Sequence, residues 1–254
     1  MQETRNLLDN ITIVLKGPKY AENIGAAARC ALNMGITRII VVSDTRPDRE
    51  AMLRTATHNA AHIIDAIEYF QDLSEALGPF SGVVGTTARR GRQRVTLQDP
   101  KELAERIMPL LSENSVALLF GPEDRGLTND DLKFCSHITT IPTDAFSSLN
   151  LAQAVAILCY ELRMGVLTAQ QGNKVFFSPK RAASHETEGM YEHLEKALLK
   201  IGFLKKKDHT YWMYNIRKFL SRIGLRSREV RIIRGVCKEL LRKDSHENHG
   251  RTRK

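Results

Sequence analysis

The stretch "PTDAFSSLNLAQAVAILCYEL", residues 142–162, joins a turn to a helix. Turn-forming residues precede Ser147, and apolar residues recur at helical spacing after Leu149. The junction places three small polar side chains, those of Ser147, Ser148 and Asn150, where the helix begins. One such side chain is sufficient to cap the free N–H groups of a helix. Capping therefore leaves two of the three without a role.

Upstream of this junction, short β-branched runs alternate with helical patterns. The predicted strands are residues 11–17, 38–42, 81–87, 115–121 and 137–143. The predicted helices are residues 23–34, closed by Gly35 as a C′ glycine, then 49–70 and 99–111, and a short helix that opens with the capping-box pair Thr128 and Asp131. This alternation predicts an α/β fold with a mostly parallel sheet that is covered on both faces.

The pattern changes after residue 168, which suggests four regions. Residues 1–168 form the α/β domain, and the Gly-, Pro- and polar-rich residues 169–189 form a linker. Residues 190–243 form a small helical domain with helices near 190–201, 208–221 and 227–243. Residues 244–254 are predicted to be a disordered tail.

The charge is concentrated in the last quarter of the chain. Residues 191–254 carry 18 Lys and Arg against 7 Asp and Glu, a net charge of +11, whereas the preceding 190 residues have a net charge of −2. Such an asymmetry favours a nucleic-acid partner over a merely solvated basic surface. The candidate phosphate-binding residues are Lys205, Lys206, Lys207, Arg217, Arg222, Arg226, Arg228, Arg231 and Arg234.

Aromatic residues interleave with these basic residues in "TYWMYNIRKFLSR", as on surfaces that stack RNA bases. In a helix, Trp212 and Phe219 more often belong to the core of a small domain, and this is the preferred interpretation.

The N-terminus lacks the basic and apolar segments of a signal peptide, and no run of about 18 apolar residues predicts a membrane span. The four cysteines are far apart and indicate reduced thiols of a cytoplasmic protein. His58 and His62 have a spacing that suits a metal, but no third ligand or H-E-x-x-H glutamate accompanies them. The sequence therefore predicts neither a membrane nor a metal site.

Ligands of open parallel sheets bind at the carboxyl ends of the strands. Besides the junction, three predicted loops lie there: "KGPKYAENIGAAARC", "GTTARRGRQR" and "FGPEDRGL". Taken alone, Asn23 is a plain helix cap and Arg29 a surface charge. Gly121 and Gly126 around Glu123 fit a tight turn as well as a ligand loop.

Together, "NIGAAARCALNMG", "FGPEDRGL" and "IPTDAFSSLNLAQAVAILCYEL" resemble the three motifs of the SPOUT superfamily, and more narrowly its TrmH-like ribose 2′-O-methyltransferases. The resemblance covers residues 10–165. The C-terminal segments "YEHLEKALLKIGFL" and "REVRIIRGVCKELL" resemble the TrmJ subgroup. The resemblance implies a deep C-terminal trefoil knot, S-adenosylmethionine as cofactor, a homodimer and RNA as substrate.

The resemblance also implies roles for individual residues. Arg29 would hold the phosphate next to the reacting ribose hydroxyl and polarise that hydroxyl, since a guanidinium is too weak a base to accept its proton. Asn23, Glu123, Ser148 and Asn150 would complete the catalytic site. The cofactor would lie against Thr86, Thr87, Ala88, Gly121, Ile141, Ser148, Leu149 and Asn150.

The implied substrate is a tRNA, modified at a pyrimidine nucleotide at the start of the anticodon loop. Two alternatives stay open: an rRNA ribose methyltransferase, and a non-catalytic RNA-binding protein with the same fold. Because Arg29, Glu123 and Asn150 are all present, the sequence favours an enzyme.

Overall fold

The structure is a computed structural model that describes residues 7–88, 99–172, 174–205 and 207–242. The chain divides into two compact units, Met1–Lys180 and Arg181–Lys254. Of the predicted linker 169–189, residues 169–171 and the residues from Ser184 onward are helical. Lys206, the tail 244–254 and the basic positions 89–94 lie outside the described residues.

The first unit is built on a six-stranded sheet, and all of its strand pairs are parallel. The strands are β1 (Ile11–Lys16), β2 (Arg38–Val42), β3 (Glu68–Phe70), β4 (Gly82–Thr86), β5 (Val116–Phe120) and β6 (His137–Thr139). Their order is β3-β2-β1-β5-β4-β6. Because the strands are parallel, their carboxyl ends all point to the same edge, where the predicted loops meet.

Alternate residues of each strand face two different hydrophobic cores. Ile13 and Leu15 belong to the larger core, whereas Val14 between them belongs to the smaller one. Helices cover both faces, as the sequence predicts, and the α/β fold class is confirmed. The helices of this unit are α1 (Ala21–Asn33), α2 (Arg49–Asp65), α3 (Leu73–Leu77), α4 (Pro100–Ile107), α5 (Asn129–Leu132) and α6 (Leu151–Gln171).

The prediction of a single helix over residues 49–70 was wrong. Helix α2 ends at Asp65, is interrupted at Thr57, where φ is +63°, and is followed by the edge strand β3. The residues around β3 are Ile67, Tyr69 and Phe70, which favour a strand, and hydrogen bonding to β2 completes it. The short helix α3 was also missed.

The end of α1 agrees with its sequence. Gly35 has φ of +84°, a conformation in which other residues are strained. Its N–H donates to the carbonyl of Leu32, and the N–H of Ile36 donates to that of Ala31, at 3.0 and 2.9 Å. This pair of bonds is a Schellman motif, so Gly35 is the C′ residue that the sequence predicts.

Helix α6 is the core helix of the unit. Its length and composition would be sufficient to cross a bilayer. However, Leu151, Val155, Leu158 and Leu162 are almost completely buried in the larger core. A buried amphipathic helix of this kind needs no membrane. The trefoil knot around the chain that leads to α6 stays a prediction.

The second unit consists of α7 (Ser184–Lys200), α8 (His209–Ile223) and α9 (Ser227–Arg242). Its small core includes Met190, Tyr191, Met213 and Val230. Trp212 and Phe219 are not in this core, because 44% of Trp212 and 63% of Phe219 is exposed. The preferred interpretation of these two rings as core residues was therefore wrong.

Candidate functional site

A cleft of about 490 Å³ lies at the carboxyl ends of the strands. It is formed by the start of α1, the loop after β5 and the junction before α6. The residues that line it are Tyr20, Glu22, Asn23, Glu123, Ser148, Leu149 and Asn150. The structure thus brings together residues from all three quoted motifs.

A chain of hydrogen bonds connects the three segments. The Asn150 Nδ2 group donates to Asn23 Oδ1 at 2.9 Å, and Asn23 Nδ2 donates to Glu123 Oε1 at 2.6 Å. The other oxygen of Glu123 accepts from the backbone N–H of Lys19 at 2.8 Å. Both functional groups of Asn23 are therefore used, and it orients the side chains on either side.

Asn150 also begins helix α6. Its Oδ1 accepts from the N–H of Ala152 at 2.8 Å, and its own N–H donates to Gln153 Oε1, which completes a capping box. Within the described parts of the chain, the hydroxyls of Ser147 and Ser148 make no hydrogen bond. Capping therefore explains Asn150 and leaves Ser148 available at the cleft.

Asn23 is not a helix cap. Helix α1 begins at Ala21 after Tyr20, whose side chain makes no capping bond, so Asn23 is the third residue of the helix. The prediction that Asn23, taken alone, is a helix cap was therefore wrong. Its side chain instead turns away from its own helix and binds Asn150 and Glu123.

Gly121 is required by the fold of its own loop. A Cβ at this position would lie 2.4 Å from the carbonyl carbon of Gly126 and 2.5 Å from the nitrogen of Leu127. Gly126 has φ of +65°, and its N–H donates to the carbonyl of Pro122 at 2.8 Å. This tight loop presents Glu123 to Asn23.

A second anchor of this loop was missed from the sequence. Lys16, at the end of β1, forms a salt bridge with Asp131 of α5. Asp131 also accepts from the N–H and the hydroxyl of Thr128, both at 2.8 Å. Burial alone would raise the pKa of Asp131, but the hydrogen bonds from Lys16 and Thr128 outweigh it and lower this pKa. In the sequence, the signal that could have identified this salt bridge was Asp131, the acidic residue of the capping-box pattern.

The other residues assigned to the cofactor lie next to the cleft, at neighbouring strand ends. The hydroxyl of Thr86 donates to the carbonyl of Leu119 at 3.2 Å, and the N–H of Thr87 donates to that of Thr139 at 3.0 Å. Ala88 is exposed, and Ile141 is half-buried two residues after β6. None of them lines the cleft itself.

Arg29 is separated from the cleft along α1. It lies six residues after Asn23, about 9 Å further along the axis and about 120° around it. Its side chain is exposed and has no ion-pair partner among residues 7–88, 99–172, 174–205 and 207–242. Arg29 is thus available to a ligand that lies outside the cleft of the same chain.

Tyr20 and Glu22 line the cleft although they were not predicted from the sequence. Glu22 forms a salt bridge of 3.3 Å with Arg54, which fixes it at the rim. Both residues immediately precede Asn23 at the start of α1, and this proximity was the signal that could have identified them.

The residues that line the cleft are suited to holding and orienting a ligand. Amide, carboxylate and hydroxyl groups face the cleft, and no histidine or cysteine lies among them. Such a set can hold a polar ligand, but it lacks a strong nucleophile. Among the described residues, no group of three His, Cys, Asp or Glu side chains is placed to share a metal ion.

The profile of the SpoU rRNA Methylase family matches residues 10–160, a range that contains the cleft, the first two motifs and all but the last two residues of the third. The chain belongs to the SpoU rRNA methylase family. A second profile, of the C-terminal domain of tRNA methyltransferase TrmJ, matches residues 185–249. This second match confirms the resemblance of the C-terminal helices to the TrmJ subgroup.

Members of the family resemble the chain over nearly its whole length. A tRNA (cytidine/uridine/adenosine-2′-O-)-methyltransferase TrmJ of Pseudomonas aeruginosa is 37% identical over 92% of this chain and 94% of its own. A tRNA (cytidine/uridine-2′-O-)-methyltransferase TrmJ of Yersinia pestis is 34% identical over 96% of both chains. The crystal structure of TrmJ from Z. mobilis ZM4 matches 91% of this chain and 99% of its own, with a TM-score of 0.76 and 31% identity.

Proposed function

We propose that the protein transfers a methyl group from S-adenosylmethionine to a ribose 2′-hydroxyl of tRNA. The observation that carries this proposal is the match to tRNA 2′-O-methyltransferases over more than nine tenths of the chain, in both units. By the same resemblance, the target is a pyrimidine nucleotide at the start of the anticodon loop. A tRNA substrate would be consistent with a cytoplasmic location, which the dispersed cysteines also suggest.

The cleft fits the proposed cofactor in size and in polarity. Its volume of about 490 Å³ lies within the range of pockets that hold small organic ligands. Ser148, Leu149 and Asn150 would hold the cofactor, together with Thr86, Thr87, Ala88, Gly121 and Ile141 at the neighbouring strand ends. When bound, S-adenosylmethionine supplies an electrophilic methyl group, so the protein needs no covalent nucleophile of its own.

The residues of this chain would then act by positioning. Asn23, held between Asn150 and Glu123, would fix the positions of these two cleft side chains. Ser148, whose hydroxyl makes no hydrogen bond to the described residues, would bind the ribose or the cofactor. Arg29 binds the adjacent phosphate through its planar fork and polarises the attacking hydroxyl. Alignment of two reactants in this manner can account for much of a rate enhancement.

We also propose that two copies of the chain form a dimer through the first unit, so that Arg29 of one subunit serves the cleft of the other. Tyr160 and Met164 lie one helical turn apart on α6 and are 49% and 39% exposed. Large exposed apolar side chains at this spacing favour a protein interface. In the full-length protein, Tyr160→Glu combined with Met164→Glu should give a monomer by light scattering. A variant that stays dimeric would contradict this interface.

The function is tested by mass spectrometry of nucleosides from tRNA and rRNA, isolated from cells with and without the gene. We expect a 2′-O-methylated pyrimidine nucleoside to disappear from tRNA alone. Loss from rRNA would favour the alternative that the family description suggests. No change in either would indicate a non-catalytic RNA-binding protein.

The role of Arg29 has a separate test. Arg29→Ala should lower methyl transfer by about a hundredfold or more, as for loss of a positioning or electrostatic group, and leave cofactor affinity unchanged. Arg29→Lys should also fail, because lysine lacks the two-pronged fork. An equal loss of cofactor affinity and rate would show that Arg29 belongs to the cofactor site.

A further inference from the structure

Three aromatic side chains form an exposed cluster on the second unit, which we call the aromatic platform: Phe203, Tyr211 and Trp212. The ring centroids of Phe203 and Trp212 are 5.8 Å apart, and those of Tyr211 and Trp212 are 5.9 Å apart, both in edge-to-face geometry. The exposed fractions of the three residues are 56%, 65% and 44%. The rings contact one another and still present much of their surface to solvent.

The platform contributes nothing to the core of its unit. The inward face of α8 is formed by Met213, Ile216 and Leu220, which pack with the small core. Trp212 is about 100° around the helix from Met213. The backbone of Phe203 is fixed by a Schellman motif at the end of α7, with Gly202 at φ of +73°, while the next residue, Leu204, is buried. Folding therefore holds the rings in place without burying them.

The charges around the platform favour an anionic occupant. Residues 201–223 contain six Lys and Arg and a single acidic residue, Asp208. Lys218 and Arg222 follow Tyr211 on the same face of α8, seven and eleven residues later. Arg217 is the exception, because it is ion-paired with Glu188 at 2.6 Å and lies over the ring of Tyr191, 4.3 Å from its centroid. It stabilises the unit and is not an available phosphate ligand.

Aromatic faces next to cations are the chemistry that recognises an unpaired nucleobase and its phosphate. A second copy of the same segment would bring its own excess of positive charge, so self-association of this surface is disfavoured. We infer that the aromatic platform stacks an unpaired base of the RNA other than that of the methylated nucleotide. This inference rests on the proposed function and adds a specific base contact to it.

Trp212 provides a direct readout because it is the only tryptophan in the chain. Titration of the full-length protein with unmodified tRNA should quench its fluorescence. A fully paired RNA duplex of similar length should bind through phosphates with little quenching. Saturating tRNA that leaves the fluorescence unchanged would overturn the inference.

Variants separate stacking from charge. Trp212→Ala should weaken tRNA binding by about 5- to 150-fold, the range for loss of one stacked base, with an unchanged slope of log affinity against log salt. Trp212→Phe should restore most of the affinity. In contrast, the double variant Lys205→Ala, Lys207→Ala should make the slope of log affinity against log salt less steep. Tyr214→Ala is the matched control, since this ring is 40% exposed but about 200° around α8 from Trp212.

Equal tRNA affinity for Trp212→Ala and Tyr214→Ala would refute the inference that an RNA base stacks on the aromatic platform. If Trp212→Ala instead lowers the oligomeric mass and spares tRNA affinity, the rings bind a second protein chain and the inference is wrong. Methyl transfer is measured separately. A wild-type protein that is quenched by tRNA but methylates none contradicts the proposed function alone, and one that methylates without quenching contradicts the platform alone.

Discussion

Replacing Asn23 with aspartate tests the hydrogen-bond chain that organises the cleft. The substitution keeps the shape of the side chain and the oxygen that accepts from Asn150. It replaces the Nδ2 donor, which lies 2.6 Å from Glu123 Oε1, with a second carboxylate oxygen. Two carboxylates then face each other where the protein has a charge-assisted hydrogen bond.

The size of the effect follows from this geometry. Two unit charges about 4 Å apart near a protein surface repel each other by up to about 4 kcal/mol. Since about 1.4 kcal/mol corresponds to a tenfold change in an equilibrium constant, this repulsion favours binding of one shared proton by up to about a thousandfold.

The shared proton restores a hydrogen bond between positions 23 and 123. The rate of methyl transfer to tRNA by Asn23→Asp, divided by the wild-type rate at the same pH, should therefore fall as the pH rises from 6 to 8 and the shared proton is lost. Asn23→Ala is the control. It has no titratable group, so its ratio should be low and independent of pH. If the ratio for Asn23→Asp is equally flat, Asn23 does not act through Glu123.

Two further predictions concern the loop that carries Glu123. Gly121→Ala should lower the free energy of unfolding by about 1–3 kcal/mol, because the new methyl group would overlap backbone at the end of the same loop. Gly82→Ala should lower the free energy of unfolding less, because its new Cβ would lie 3.4 Å from the nearest atom, in the side chain of Val116. Equal urea midpoints of unfolding for the two variants would contradict the close approach at Gly121. The lowered pKa of Asp131 means that its salt bridge with Lys16 stabilises the fold fully above its ordinary pKa of 3.8, and that this contribution is lost as pH falls below it. Asp131→Asn should therefore reduce stability more at pH 7 than at pH 3, and an equal reduction at both pH values would refute the role of the charge.

The sequence predicted the parts of the fold that depend on local patterns. Alternation of β-branched runs with helices predicted five of the six strands, and Gly35 predicted the end of α1. Strand β3 was not predicted, because its three residues pair only at the edge of the sheet and this tertiary pairing decides their conformation. The same limit applies to Lys16, since its partner Asp131 lies 115 residues away.

Five of the seven residues that line the cleft were predicted from the three motifs as a set, and Tyr20 and Glu22 were not. Asn23 considered alone resembled a helix cap, and only the contacts with Glu123 and Asn150 distinguish it from one. The exposure of Trp212 could not be predicted, because an amphipathic pattern does not tell which of two apolar faces is covered.

The hydrogen-bond chain of the cleft also has a consequence for the order of folding. Its two side-chain bonds join residues that are 100 and 127 positions apart in the sequence. Contacts of such long range are slow to form, because much of the chain must be ordered before they close. Helices α1 and α2 can associate early from neighbouring sequence, but the cleft cannot exist until the chain has reached Asn150. Ligand binding in the cleft is therefore a late event in folding, and it can report that the first unit has reached its native state during refolding.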